Sequence, residues 1–99
     1  MTRIRIRTHP GEILREEYLE PLGLSARQLA AAIGVPANRM SEIARERRGI
    51  TADTAVRLGR YFRTDPRFWL NAQTAHDLSK AFAETDYSRV PIRAAQQHR

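Results

Sequence analysis

The side chains best suited to chemistry in this 99-residue chain gather between Ser25 and Gly49. Asn38, Arg39, Ser41, Glu42 and Arg45 follow one another closely there, with Arg47 and Arg48 just beyond. These types suit the edges of base pairs: asparagine takes adenine bidentately, arginine takes guanine, and glutamate accepts from the cytosine amino group. Ser25, with the free N–H groups of the helix it would cap, suits a phosphate, and so do Arg45, Arg47 and Arg48. Covalent chemistry is poorly served by comparison. Ser25, Ser41, Ser79 and Ser88 lack any base and orienter in a recognisable arrangement. His9, His76 and His98 do not have metal-ligand spacing, and His76 and Asp77, as sequence neighbours, would project about 100° apart on a helix. There is no glycine-rich phosphate loop and no cysteine. The expectation is a protein without catalytic activity, cofactor or metal.

The elements that must position these residues follow from periodicity and punctuation. Arg3-Ile4-Arg5-Ile6-Arg7 alternates with period two and reads as a short strand or an extended arm. Pro10 opens a helix with Glu12 near its positive end; Ile13, Leu14, Tyr18 and Leu22 form its apolar stripe, and Pro21 and Gly23 are expected to end it. Ser25 caps a short alanine-rich helix whose inner face is Leu29, Ala30 and Ile33, stopped by Gly34. Pro36 begins the next helix, expected to reach about Arg45–Arg48, with Met40, Ile43 and Ala44 inward and Ala37, Asn38, Ser41, Glu42 and Arg45 outward. Thr51 caps a fourth helix with Ala55, Leu58 and Phe62 on its apolar face. Asp65 and Pro66 start a fifth, the most apolar, through Phe68, Trp69, Leu70, Ala75, Leu78 and Phe82. The signal decays after Glu84 into a polar tail. The division is a basic arm (1–9), a helical domain (10–84) and a tail (85–99).

Two short helices around Gly34-Val35, the second polar on its outer face, match the layout of a helix-turn-helix unit whose second helix enters the major groove. The same pattern also fits an ordinary helical bundle with a solvated basic face. Charge distribution favours the former. The net charge is +6, and every basic residue but Lys80 is arginine, which suits bidentate phosphate and guanine contacts, although arginine-favouring codon usage would give the same bias. Residues 27–67 carry an excess of five positive charges, whereas residues 12–26 carry three negative. A basic segment of this kind suits a polyanion. No apolar run approaches a membrane span and the N-terminus lacks the apolar stretch of a signal peptide, so a soluble cytoplasmic, nucleoid-associated protein is expected.

Several segments resemble the HigA-type antitoxins of the lambda-repressor-like (XRE) helix-turn-helix superfamily. They are the run from His9-Pro10-Gly11-Glu12 to Leu24-Ser25; Gly34-Val35; Asn38-Arg39-Met40-Ser41-Glu42-Ile43; Arg47-Arg48-Gly49-Ile50-Thr51-Ala52-Asp53-Thr54-Ala55; and Phe68-Trp69-Leu70-Asn71-Ala72-Gln73 with Asp77-Leu78. The resemblance implies an all-α, five-helix fold and a homodimer that represses its own operon on double-stranded operator DNA. It also implies neutralisation of a HigB-type toxin, a RelE-like nuclease that cuts messenger RNA. Base readers would fall near the start of the third helix, at positions held here by Pro36, Ala37, Asn38, Arg39 and Glu42. The polar outer face adds Ser41, giving Ala37, Asn38, Arg39, Ser41 and Glu42 as the candidate readers and Ser25, Ala26, Arg45, Arg47 and Arg48 as the candidate phosphate contacts. The chain departs from the family pattern in three places. Pro36 replaces the usual capping Ser or Thr, Ala26 replaces a phosphate-binding Gln, and Arg45-Glu46 replaces the Asn-Gly that often ends the third helix.

Other clusters admit two readings. Glu12, Glu16, Glu17 and Glu20 form either a dock for a basic toxin or a solvated helix face. Phe68, Trp69, Leu78 and Phe82 are dimer contacts or core. Arg3, Arg5 and Arg7 either track phosphates or form a solvated arm. Two rival functions are a transcriptional regulator without a toxin partner and a protein-interaction module that has lost DNA binding.

Overall fold

The computed structural model describes residues 4–94. All regular structure among them is helical. Helix α1 winds continuously through an α-helical turn at Pro10–Ile13, a π-helical stretch at Leu14–Leu19 and a final α-helical turn at Glu20–Leu22. Then come α2 (Ala26–Ile33), α3 (Ala37–Ala44), α4 (Ala52–Phe62), α5 (Pro66–Glu84) and a 3-10 turn at Tyr87–Arg89.

The caps explain most boundaries. Ser25 accepts from the Gln28 N–H (3.0 Å) while the Gln28 side chain accepts from the Ser25 N–H (2.9 Å), a reciprocal box that fixes the start of α2. Gly34 ends α2 at φ 77, a left-handed conformation that glycine adopts without strain. Thr51 caps α4 and Asp65 caps α5. Pro21 does not end α1. It lies inside the last turn, and Gly23, at φ 61, is the stop. A proline there cannot donate to the Glu17 carbonyl and its ring crowds that oxygen; the turn before it is wound wider, with the Glu20 N–H reaching back to the Arg15 carbonyl.

One further expectation is corrected, and one pair of alternatives is decided. Helix α3 stops at Ala44, short of the expected Arg45–Arg48, and Glu46 takes the left-handed turn at φ 63 in place of a glycine. The N-terminal segment 4–9 is not a strand. It is tied to α5, where the Arg7 N–H donates to Ser79 Oγ (2.7 Å) and His76 Nδ1 meets the Arg7 carbonyl (2.7 Å). Arg3 and residues 95–99, including His98, lie outside the described residues.

The core lies at the junction of all five helices: Leu14 from α1, Leu29 from α2, Met40 and Ile43 from α3, Leu58 from α4 and Trp69 from α5 are fully buried. Trp69 is anchored by its indole N–H to Thr64 Oγ1 (2.9 Å) and flanked by Tyr18 (5.2 Å between ring centroids). A buried indole needs such a partner for its donor. Leu22, expected on the inner stripe of α1, is exposed, as are Phe68, Leu78 and Phe82 along α5.

Candidate nucleic-acid interface

The unit α2–turn–α3 carries the residues singled out above. Gly34 and Val35 both donate to the Ala30 carbonyl (2.9 and 3.0 Å), closing the turn, and Val35 packs against the core. Pro36 precedes α3 in an extended conformation and, as its type dictates, offers no side-chain cap. The inward face of α3 is Met40, Ile43 and Ala44. Its outward face presents Ala37 and Asn38 fully and Ser41 and Glu42 partly. Burial of the apolar stripe therefore sets which side chains face out.

The outward residues differ in how free they are. No partner holds the Asn38 side chain among the described residues, whereas Ser41 Oγ donates to the Asn38 carbonyl (3.2 Å). Arg39 is paired with Asp53 at 3.3 Å, and Glu42 with Arg48 at 2.8 Å. Arg45 and Arg47 are exposed, follow the end of α3 and stand free of ion pairs among the described residues. Ser25 is exposed at the start of α2, with Ala26 half-buried beside it. The Ser25 oxygen is already used as the cap acceptor, so its hydroxyl hydrogen is the group left to donate to an anion.

Two arginines that counted only as charge in the sequence turn out to hold this unit in place. Arg57 of α4 donates through Nη1 to the Ile33 carbonyl (2.7 Å) at the C-terminal end of α2, and its Nε binds Asp53 (3.1 Å). Arg15 of α1 donates to the Ala44 carbonyl at the end of α3 and pairs with Glu46 and Glu16, each at 3.3 Å. Cations at helix C-termini satisfy unpaired carbonyls and the negative end of the dipole. Asp53 thus links the outward side of α3 to the turn, bridging Arg39 and Arg57. The Asp53/Arg57 spacing of four was the available signal for one of these links, and Ser25-x-x-Gln28 was the signal for the capping box. Nothing local announced Arg15.

The other candidate residues separate. On α1, Glu17 and Glu20 are exposed and without partners among the described residues; Glu12 is half-buried, and Glu16 is drawn to Arg15. Trp69 is wholly inside the core, so it is removed from the interface set; its ring is consumed by Tyr18, Phe62 and Phe68. Phe68, Leu78 and Phe82 remain accessible, and the Phe82 ring meets Tyr87 of the 3-10 turn at 5.9 Å. His9 and His76 do come together, edge to face at 4.8 Å. Their residue spacing gave no hint of it. Among the described residues no cluster of side chains is arranged to hold a metal ion, and no helix is long and apolar enough to cross a membrane.

Comparison with known proteins gives this geometry a context. A helix-turn-helix family model matches residues 16–69. Virulence-associated protein I of Dichelobacter nodosus is 66% identical over 84 residues, covering 85% of this chain and 76% of that one. The structure of the Pseudomonas aeruginosa antitoxin HigA with the higBA promoter aligns at 49% identity and a TM-score of 0.77 over 80% of this chain and 85% of that chain. Antitoxin GraA in complex with its operator aligns at 43% identity and a TM-score of 0.80 over 99% of this chain and 96% of that chain.

Proposed function

This chain belongs to the helix-turn-helix family of XRE type, and from that premise we propose that it is a dimeric operator-binding autorepressor that also serves as the antitoxin of a HigB/RelE-like toxin. The observation that carries the reading is α3 itself: a helix with its apolar side buried and Ala37, Asn38, Ser41 and Glu42 turned outward, followed at once by Arg45, Arg47 and Arg48. Its relatives HigA and GraA, solved with promoter and operator DNA, support DNA binding by this chain.

In this mechanism α3 lies in the major groove. Asn38 reads adenine, Arg39 exchanges Asp53 for guanine, and Ser41 and Glu42 contact neighbouring base edges, while Ala37 offers a methyl group to thymine. Ser25 and the amides at Ala26, at the start of α2, hold one phosphate. Arg45, Arg47 and Arg48 hold others and supply most of the affinity. Phe68, Leu78 and Phe82 join two copies so that two α3 helices address half-sites roughly 34 Å apart, one helical turn. Glu12, Glu16, Glu17 and Glu20 face the basic toxin on a separate surface. The division into a basic arm (1–9), a DNA-binding domain (10–84) and a tail (85–99) follows from the same reading.

A gel shift on the protein's own promoter tests the repressor; no shift at low salt overturns it. Co-expression with the neighbouring reading frame tests the antitoxin: relief of growth arrest is expected, and persistent arrest leaves a regulator without a toxin partner.

A further inference from the structure

His9 sits where three parts of the fold meet. It is buried, and its Nδ1 accepts the Gly11 N–H at 2.8 Å, capping the start of α1. The backbone of Gly11 in turn rests on the carbonyl of Ile43 in the last turn of α3. On its other side His9 meets the ring of His76 from α5. We propose that His9 is a positioning residue for α3 and that its protonation loosens α3, so that operator binding weakens in mild acid. The proposal rests on the DNA-binding reading above.

The chemistry of the cap forces the sign. His9 can accept from Gly11 only while Nδ1 is bare, and a proton there would set donor against donor. The ring must then turn away, and the first turn of α1 loses the contact that seats Gly11 against Ile43. The surroundings oppose the proton. Burial lowers the His9 pKa below its usual value of 6.5, and neighbouring His76 and Lys80 lower it further, against Glu46 and Asp77 acting the other way. Arg47 and Arg48 complete the charged lining of the same cleft, about 270 Å³ in volume. His76 also holds its own ring against the Arg7 carbonyl through Nδ1, which therefore carries a hydrogen. With the folded-state pKa below the unfolded one, the His9 contribution to stability is complete above pH 6.5 and is lost as pH falls through the folded value. Simple charge gives the opposite direction, since protonated histidines add positive charge and tighten DNA binding.

The test uses the full chain and a duplex of its own promoter, with binding read by fluorescence anisotropy at constant ionic strength from about pH 8 to about pH 5. We expect wild-type affinity to fall about threefold to tenfold on acidification. His9→Asn, which caps without titrating in this range, should flatten the profile. A wild-type affinity that stays level or rises overturns the proposal. In parallel, NMR follows the wild-type His9 ring and the amides of Gly11 and residues 43–48, which are expected to shift together; a His9 titration that leaves those amides still overturns it too. This arm needs neither DNA nor the variant. Failure to bind the duplex at any pH would count against the repressor reading, and the amide titration would then decide the present one.

Discussion

Gly11 and Ile43 touch so closely that a β-carbon on Gly11 would stand 1.8 Å from the Ile43 carbonyl oxygen. Both atoms of that clash are backbone-fixed, so no rotamer change relieves it. Gly11→Ala should therefore force α1 and α3 apart and destabilise the domain by about 2–4 kcal/mol. A fall in the urea midpoint with an unchanged slope is the expected reading; a midpoint within error of wild type would mean that the two helices separate freely.

Asp53 holds Arg39 at 3.3 Å on the surface. Exposed pairs contribute little, so Asp53→Asn should alter stability by no more than about 1 kcal/mol. Its effect on DNA should be larger in kind: freed of the carboxylate, Arg39 should raise affinity for the operator more than for random duplex and widen the gap between them. Competition binding with both duplexes measures this, and an unchanged gap would remove Arg39 from base readout.

Asn38, alone among the outward polar side chains of α3, has no partner to give up among the described residues. Asn38→Ala should weaken operator binding by about 1–3 kcal/mol and relax the preference at one base pair. Arg47→Ala should weaken all sequences alike and reduce the salt slope by about one. Equal losses on random DNA for Asn38→Ala would assign that residue to the backbone instead.

Leu78 and Phe82 are 53% and 58% exposed, so replacing them disturbs little within one chain. Leu78→Glu with Phe82→Glu should leave the thermal transition of the helical domain in place at low concentration and shift sedimentation toward the monomer. It should also weaken binding to a paired operator far more than to a single half-site. A variant that remains dimeric would place the interface elsewhere.

Much of this fold was written locally. Ser25 and Gly34 bracket α2, Thr51 and Asp65 open α4 and α5, and the inward spacing of Met40, Ile43 and Ala44 orients α3. These signals act within one or two turns, which is why they can be read from neighbours in sequence. Pro21 misled because a wider helical turn upstream accommodates it. Arg15, Arg57 and the His9–His76 pair were invisible for a different reason: each acts on a backbone or ring far away along the chain. In sequence, an arginine bound for its own protein's carbonyl looks the same as one bound for a phosphate. Likewise, the amphipathic pattern of α5 did not say that Trp69 turns inward while Phe68 stays accessible.

The pairs Arg39–Asp53 and Arg48–Glu42 have a thermodynamic corollary. Both cations arrive at a polyanion already neutralised by the protein's own carboxylates. If they move to DNA, an internal counter-charge is released rather than a mobile ion from solution. The electrolyte dependence of binding would then report fewer ions than the arginines in contact, and the shortfall would count the internal pairs that opened.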